Sequence, residues 1–308
     1  MEASITLKSI AKTFKDKTIL ADLSLGVEKG SNLVILGENS SGKSILIKLM
    51  VGLIEKSAGM LYINGKEISS RGHEIRAITG YMPQDIDLDD TINVYENLEI
   101  YGRLHGLSVK EVYDNIYNWA EKLSFLDLLD KLPQYLSYGK QRIIMFARAL
   151  IHDPEVIFLD EPTKGLDASL RKTVWDVLDK MHLDKTIVFC THNFEEAERY
   201  ADRIAILHKG NIKMDGTLEK LIETTHGLTR YRLSFKSLPT SDFMEELEKN
   251  PRIIRPEIKG LELEFYSRER KQFFKVLDLA LKFELEDIDT SICRLRDLFV
   301  GLTDGGLE

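Results

Sequence analysis

Four short runs of Val, Ile and Leu along the chain carry no polar alternation: NLVILG from Asn32, EVIFLD from Glu155, KTIVFC from Lys185 and RIAILHKG from Arg203. A strand with one wet face alternates. A run that is apolar on both faces fits the middle of a parallel sheet, covered on each side by helices. Between these runs the period changes to that of a helix. Ser108 and Glu111 stand at capping-box spacing, and Val112, Ile116, Trp119 and Leu123 follow along one face. Asp167 suits an N-cap ahead of a stripe made by Leu170, Val174, Val177, Leu178 and Met181. Core packing is the expected role of Trp119 and of both stripes. Strand and helix alternating in this way predict an α/β domain over residues 1–226, with a largely helical insertion at about residues 90–135.

Beyond His226 the pattern differs. YRLSF reads as a strand, DFMEELEKN as a helix, and a β-like stretch runs on to Tyr266. A helix with Phe273, Phe274, Leu277 and Leu281 follows, then FELEDI and a closing helix through Leu298. This β-α-β-β-α-β order predicts a small α+β C-terminal domain over residues 227–308. In the closing helix Leu295, Leu298, Phe299 and Leu302 form an apolar stripe, expected to fold onto the tail's own sheet.

With 308 residues, 43% of them apolar, the chain is long enough for about two domains and a sizeable core. Its net charge of −8 argues against nucleic acid as a partner, which would call for a basic surface. The two cysteines, Cys190 and Cys293, have no metal-ligand spacing and read as free thiols in a reducing compartment. No signal peptide is expected in MEASITLKSIAKTFKDK, and the longest apolar run, ILIKLMVGLI, is too short to span a bilayer. A soluble chain is the expectation, with any membrane contact made through a partner.

Chemistry concentrates first at Gly37-Glu-Asn-Ser-Ser-Gly42-Lys43-Ser44, which fits GxxxxGK[ST] between a predicted strand and an apolar helix. Glycines let the backbone curl so that its N–H groups point at phosphate oxygens, and the helix N-terminus adds a favourable dipole. Lys43 supplies charge for the β- and γ-phosphates, Ser44 a hydroxyl for Mg²⁺, and Glu38 must turn outward. The second concentration is VIFLDEP. Its strand ends in Asp160, at the sheet edge where ligands of open α/β sheets bind, and Asp160 is placed to hold Mg²⁺. Glu161, next along the chain, is the candidate to orient or deprotonate an attacking water.

GENSSGKS, GYMPQ, LSYGKQR, VIFLDEPTKGLD and CTH stand in the order and approximate spacing of an ABC-type ATPase, which residues 4–225 resemble. The resemblance implies a P-loop NTPase cassette of mixed sheet plus helical subdomain, using ATP and Mg²⁺. It implies ATP contacts from Gly37, Glu38, Asn39, Ser40, Ser41, Gly42, Lys43, Ser44 and Ile45, with Phe14 stacked on adenine. Gln84 becomes the glutamine that senses Mg²⁺ and the γ-phosphate, Leu166 and Asp167 the D-loop, and His192 the switch histidine. Catalysis is then expected from Glu161, His192 and Gln84, and metal binding from Ser44, Gln84 and Asp160.

By the same resemblance, Ser137, Tyr138, Gly139 and Lys140 are a signature segment that faces the ATP of a second cassette, in a homodimer or with a sister ATPase. Tyr138 stands where the family has its first signature Gly, and Lys140 where it has Gln. The ending RLRDLFVGLT resembles ATPase subunits of drug and antibiotic exporters whose permease is a separate chain. The implied function is ATP hydrolysis that powers export through that permease, from the cytoplasmic face of the membrane. The alternative is a soluble ABC ATPase acting on a protein or nucleic-acid machine.

Overall fold

The computed structural model of the chain describes residues 3–68, 72–181, 184–223, 229–237, 239–292 and 294–303. Cys293 and the expected boundary at His226 lie outside the described residues. Contacts divide the chain into two units, Met1–Gly216 and Thr217–Glu308.

The first unit opens on a long antiparallel pair, β1 (Ala3–Phe14) and β2 (Lys17–Glu28), followed by β3 (Asn32–Leu36), α1 (Lys43–Met50), β4 (Ala58–Ile63), β5 (Lys66–Glu67), α2 (His73–Ile78) and β6 (Thr79–Met82). Two helices, α3 (Val94–Leu104) and α4 (Val109–Lys122), precede α5 (Tyr138–Leu150) and β7 (Val156–Asp160). The unit then runs through α6 (Ala168–Met181), β8 (Thr186–Thr191), α7 (Phe194–Tyr200), β9 (Arg203–His208) and β10 (Asn211–Gly216).

The four non-alternating runs become the neighbouring strands β9-β3-β8-β7 of a six-stranded sheet ordered β10-β9-β3-β8-β7-β6. Every residue of β3, β7 and β8 is buried. A second, antiparallel sheet has the order β2-β1-β4-β5, and its apolar face joins α1 and the central strands in one core. Both helical caps form: Ser108 and Glu111 make a reciprocal capping box, and Asp167 Oδ1 accepts from Leu170 N at 2.9 Å.

Two expected core assignments need correction. On α4 the buried line is Val112, Ile116, Ala120 and Leu123; Trp119 lies one position off it, half-buried beneath the Lys122 ammonium. On α6, Val174, Trp175 and Leu178 are buried, whereas Leu170, Val177 and Met181 are only partly covered. Trp175 takes the central place by stacking on Tyr200 at 4.0 Å and meeting the edge of Phe189 at 5.0 Å.

The second unit contains α8 (Leu218–Glu223), β11 (Thr229–Phe235), α9 (Ser241–Glu248), β12 (Ile254–Lys259), β13 (Glu262–Ser267), α10 (Arg270–Ala280), β14 (Leu285–Ile292) and α11 (Leu295–Thr303). Its antiparallel sheet has the order β12-β13-β11-β14, the arrangement of a split βαβ sandwich. Tyr231, Leu233, Phe235, Leu263 and Phe265 face Phe243 and Leu247 of α9 and Phe273 and Val276 of α10. The apolar stripe of α11 does not join that core. Leu295, Leu298 and Phe299 are buried with α11 against α8, while Asp297 accepts from Arg230 at 3.1 Å on the sheet's other face. That packing is why the division falls before α8.

Candidate active site

Strand register brings the chemistry to one edge. Leu36 pairs with Thr191 and Asp160 with Cys190 in parallel ladders, and Met82 lies beside Leu159. The segments that leave these strands at Gly37, Gln84, Glu161 and His192 therefore emerge side by side. Between them lies a cleft of about 350 Å³ lined by Phe14, Lys17, Ile19, Glu38, Asn39, Ser40, Gly42, Lys43, Ser44, Ile45, Gln84, Asp160 and Glu161.

Gly42 makes the loop possible. It caps α1 at φ 108°, and a Cβ there would come within 2.6 Å of Leu20 Cδ2. Lys43, the first residue of α1, is buried, and its ammonium donates to the carbonyls of Gly37 (2.7 Å) and Glu38 (3.0 Å). It also stands 4.0 Å from Glu161 Oε1. Glu38 is exposed and stands in the cleft lining. Phe14, at the end of β1, is 44% exposed on the cleft wall, with Lys12 Nζ 4.5 Å from its ring centroid. A core residue would not be so open; a flat apolar platform for a base would be.

Asp160 is 1% exposed, and neither carboxylate oxygen makes a well-formed hydrogen bond, the Ser44 hydroxyl being the neighbouring donor. Burial pushes its carboxyl above the usual range, against the opposing pull of the Ser44 hydroxyl, Lys43, Lys48 and Arg142. Glu161 sits in the left-handed region at φ 52°, a strained place for a residue with a Cβ. Three contacts hold it there. Its N–H donates to Cys190 O (3.0 Å), its carbonyl accepts from Arg142 (2.5 Å), and its Oε1 accepts from His192 Nδ1 (2.8 Å). Cys190 itself is fully buried, which pushes its thiol well up and leaves it unreactive.

Other expected site residues lie elsewhere. Ser41 is buried, its Oγ beside Gly37 and away from the cleft lining. Ser137 caps α5, its Oγ accepting from Lys140 N at 3.5 Å, and Tyr138 is 44% exposed at the first position of that helix. Gly139 packs toward Leu166 and Leu170, so the signature segment and the turn before α6 form one neighbourhood apart from the cleft. Lys140 Nζ reaches the Ser124 carbonyl at 3.5 Å.

Arg142, which the sequence motifs do not single out, ties the site together. Its side chain is fully buried in α5, and it donates to the carbonyls of Pro83 (2.8 Å), Gln84 (2.6 Å), Asp160 (3.4 Å) and Glu161 (2.5 Å). Burial works against its charge, and the carbonyl dipoles answer that cost. The one signal in the sequence is a guanidinium directly ahead of the apolar run IIMF. A second network has no signature in the sequence: buried Glu196 accepts from Thr163 and from Thr191 (3.0 Å), bracing the turn beyond Glu161 against β8.

The chain as a whole is similar to known proteins. The family model described as ABC transporter matches residues 20–164. Nod factor export ATP-binding protein I of Rhizobium sp. is 32% identical over 310 residues, covering 100% of this chain and 99% of that one. Phospholipid-transporting ATPase ABCA3 of Rattus norvegicus is 37% identical over 221 residues; that match covers 70% of this chain, which spans about an eighth of that relative (13%). A dimeric, post-hydrolysis ATP-binding cassette bound to ADP and Pi superimposes with a TM-score of 0.65 at 25% identity, over 70% of this chain and 98% of that one. Given an edge-on phosphate loop, an acidic pair at the end of β7 and full-length likeness to an export ATP-binding protein, this chain belongs to the ABC transporter family, as one of its ATPase cassettes.

Proposed function

We propose that this chain is the energy-coupling subunit of an exporter, hydrolysing ATP on the cytoplasmic face of a membrane for a separate permease. The observation that carries the ATPase site is Asp160. An almost fully buried carboxylate without a well-formed hydrogen bond at either oxygen, beside Lys43 and the Ser44 hydroxyl, is a costly arrangement in a resting fold and a useful one for a cation. Ser44, Gln84 and Asp160 are all oxygen donors of the kind Mg²⁺ takes, and would hold it. When bound, the cation neutralises charge that builds on the β- and γ-phosphates. Phe14 offers the adenine its face. The loop N–H groups and Lys43 bind the phosphates, Lys43 exchanging its carbonyl partners for phosphate oxygens. Glu161 takes the proton of the attacking water. His192 donates to Glu161 Oε1 and fixes where the carboxylate points, while Arg142 holds its strained backbone.

The signature residues Ser137–Lys140 and the D-loop residues Leu166 and Asp167 lie outside the cleft lining, which fits contact with nucleotide on a second cassette, a copy of this chain or a sister ATPase. Among the described residues no helix is long and apolar enough to cross a membrane. Export, and the separate permease it requires, rest on likeness to the full-length relative.

The test is Glu161→Gln. The amide keeps size and hydrogen bonding but takes no proton, so hydrolysis should fall by at least about 100-fold while ATP binding persists. ATP should then drive a stable dimer in sizing chromatography. Wild-type turnover by this variant would overturn the assignment of the base.

A further inference from the structure

Tyr138 does something a glycine at its position cannot. Its ring packs against the backbone of Gly165, which has φ 74°: a Cβ at Gly165 would come within 2.5 Å of Tyr138 Cε1 and 2.8 Å of Cδ1. One residue further on, the space above Gly139 is closed by Leu170 Cδ1 and Leu166 Cδ2, at 3.2 and 3.8 Å from a Cβ there. Contacts between α5 and α6 continue this seam. The turn before α6 is thus gripped twice, by the ring from one side and by its own leucines against the start of α5 from the other.

We propose that Tyr138 is a positioning residue that splices the start of α5 to the Gly165–Asp167 turn, so that both segments meet a second cassette as one body. This rests on the reading of Ser137–Lys140 as a surface that faces nucleotide on a partner cassette. A glycine at position 138 would leave the helix start and the turn to be ordered separately when two cassettes close. The ring removes that freedom beforehand. Gly165 is the counterpart of the device, since only a residue without a Cβ admits the ring at that φ.

The geometry predicts a dimerisation effect rather than a cleft effect, because Tyr138 lines no part of the cleft. In the Glu161→Gln background, Tyr138→Gly should raise the ATP concentration for half-maximal dimer by roughly fivefold or more, since freed backbone is ordered at two seams per dimer. Tyr138→Phe keeps the ring and should shift it less. Gly165→Ala, which brings a methyl into the ring, should weaken dimerisation strongly beside Tyr138 and much less in Tyr138→Gly. Analytical ultracentrifugation across ATP concentrations reads all four. A Tyr138→Gly protein that dimerises at the parental ATP concentration overturns the splice, as do Tyr138→Gly and Gly165→Ala effects that simply multiply. Should ATP drive no dimer of Glu161→Gln at all, the reading of Ser137–Lys140 as a surface facing a partner cassette falls, and this proposal with it.

Discussion

Asp160 shows how one residue can be set against the fold that carries it. Its folded carboxyl is raised above the unfolded value, so its negative charge is disfavoured in the nucleotide-free protein. Above the usual carboxylate range that charge lowers stability; once both states are protonated in acid, the effect disappears. Asp160→Asn should therefore raise the melting temperature of the nucleotide-free protein near neutral pH by about 2–4 °C, equivalent to about 1 kcal/mol. The gain should shrink below about pH 4, while Mg²⁺-dependent ATPase activity falls at least about 100-fold. Calorimetry across pH, paired with an activity assay, checks both; a variant less stable at neutral pH would contradict the reading. The residue types at this site were readable because spacing along the chain carries them: GxxxxGK[ST], and an acidic pair closing an apolar strand. That Lys43 comes within 4.0 Å of Glu161 Oε1 was not, because 118 positions of chain separate them.

Among the elements, α3, α5 and β6 meet at a pair of stacked imidazoles, His105 and His152, 3.8 Å apart between centroids. His152 Nε2 donates to Thr79 O at 3.1 Å, which fixes the neutral tautomer, and Nδ1 has no partner. Burial, with His105 beside it, depresses the His152 pKa to about 4, against the pull of Thr79 O and Asp153. A histidine depressed in the fold binds its proton more readily unfolded. Its contribution is intact above about pH 6.5 and is lost as pH falls toward about 4, by up to about 3 kcal/mol. Urea titrations over that window should show a wild-type decline that His152→Gln flattens; parallel curves would refute it. No periodicity announces such a pair, since His105 ends one helix and His152 follows another. The Ser108–Glu111 capping box, by contrast, is a pair of local bonds, and the sequence spells it out.

Across the whole molecule, every residue that lines the cleft lies before position 162, and the second unit has a core of its own built on Tyr231, Leu233, Phe265 and Phe273. A chain ending at Gly216 should fold and bind ATP with an affinity within about threefold of the full protein, a tolerance for sites that do not share partners. Loss of binding in a folded truncation, measured by calorimetric titration, would show that residues beyond Gly216 support the site. What the sequence by itself determined is what short-range physics encodes: strands buried on both faces, helix caps, a phosphate loop and a carboxylate at a strand end. Those depend on neighbours a few positions away. Only the tertiary structure decided which strands are adjacent, and with them that Glu161 is pinned by His192 and Arg142 and that Tyr138 closes on Gly165. Register and packing between distant segments decide those contacts, because a buried charge or ring takes its partners from whatever surfaces the folded core brings within a few ångströms.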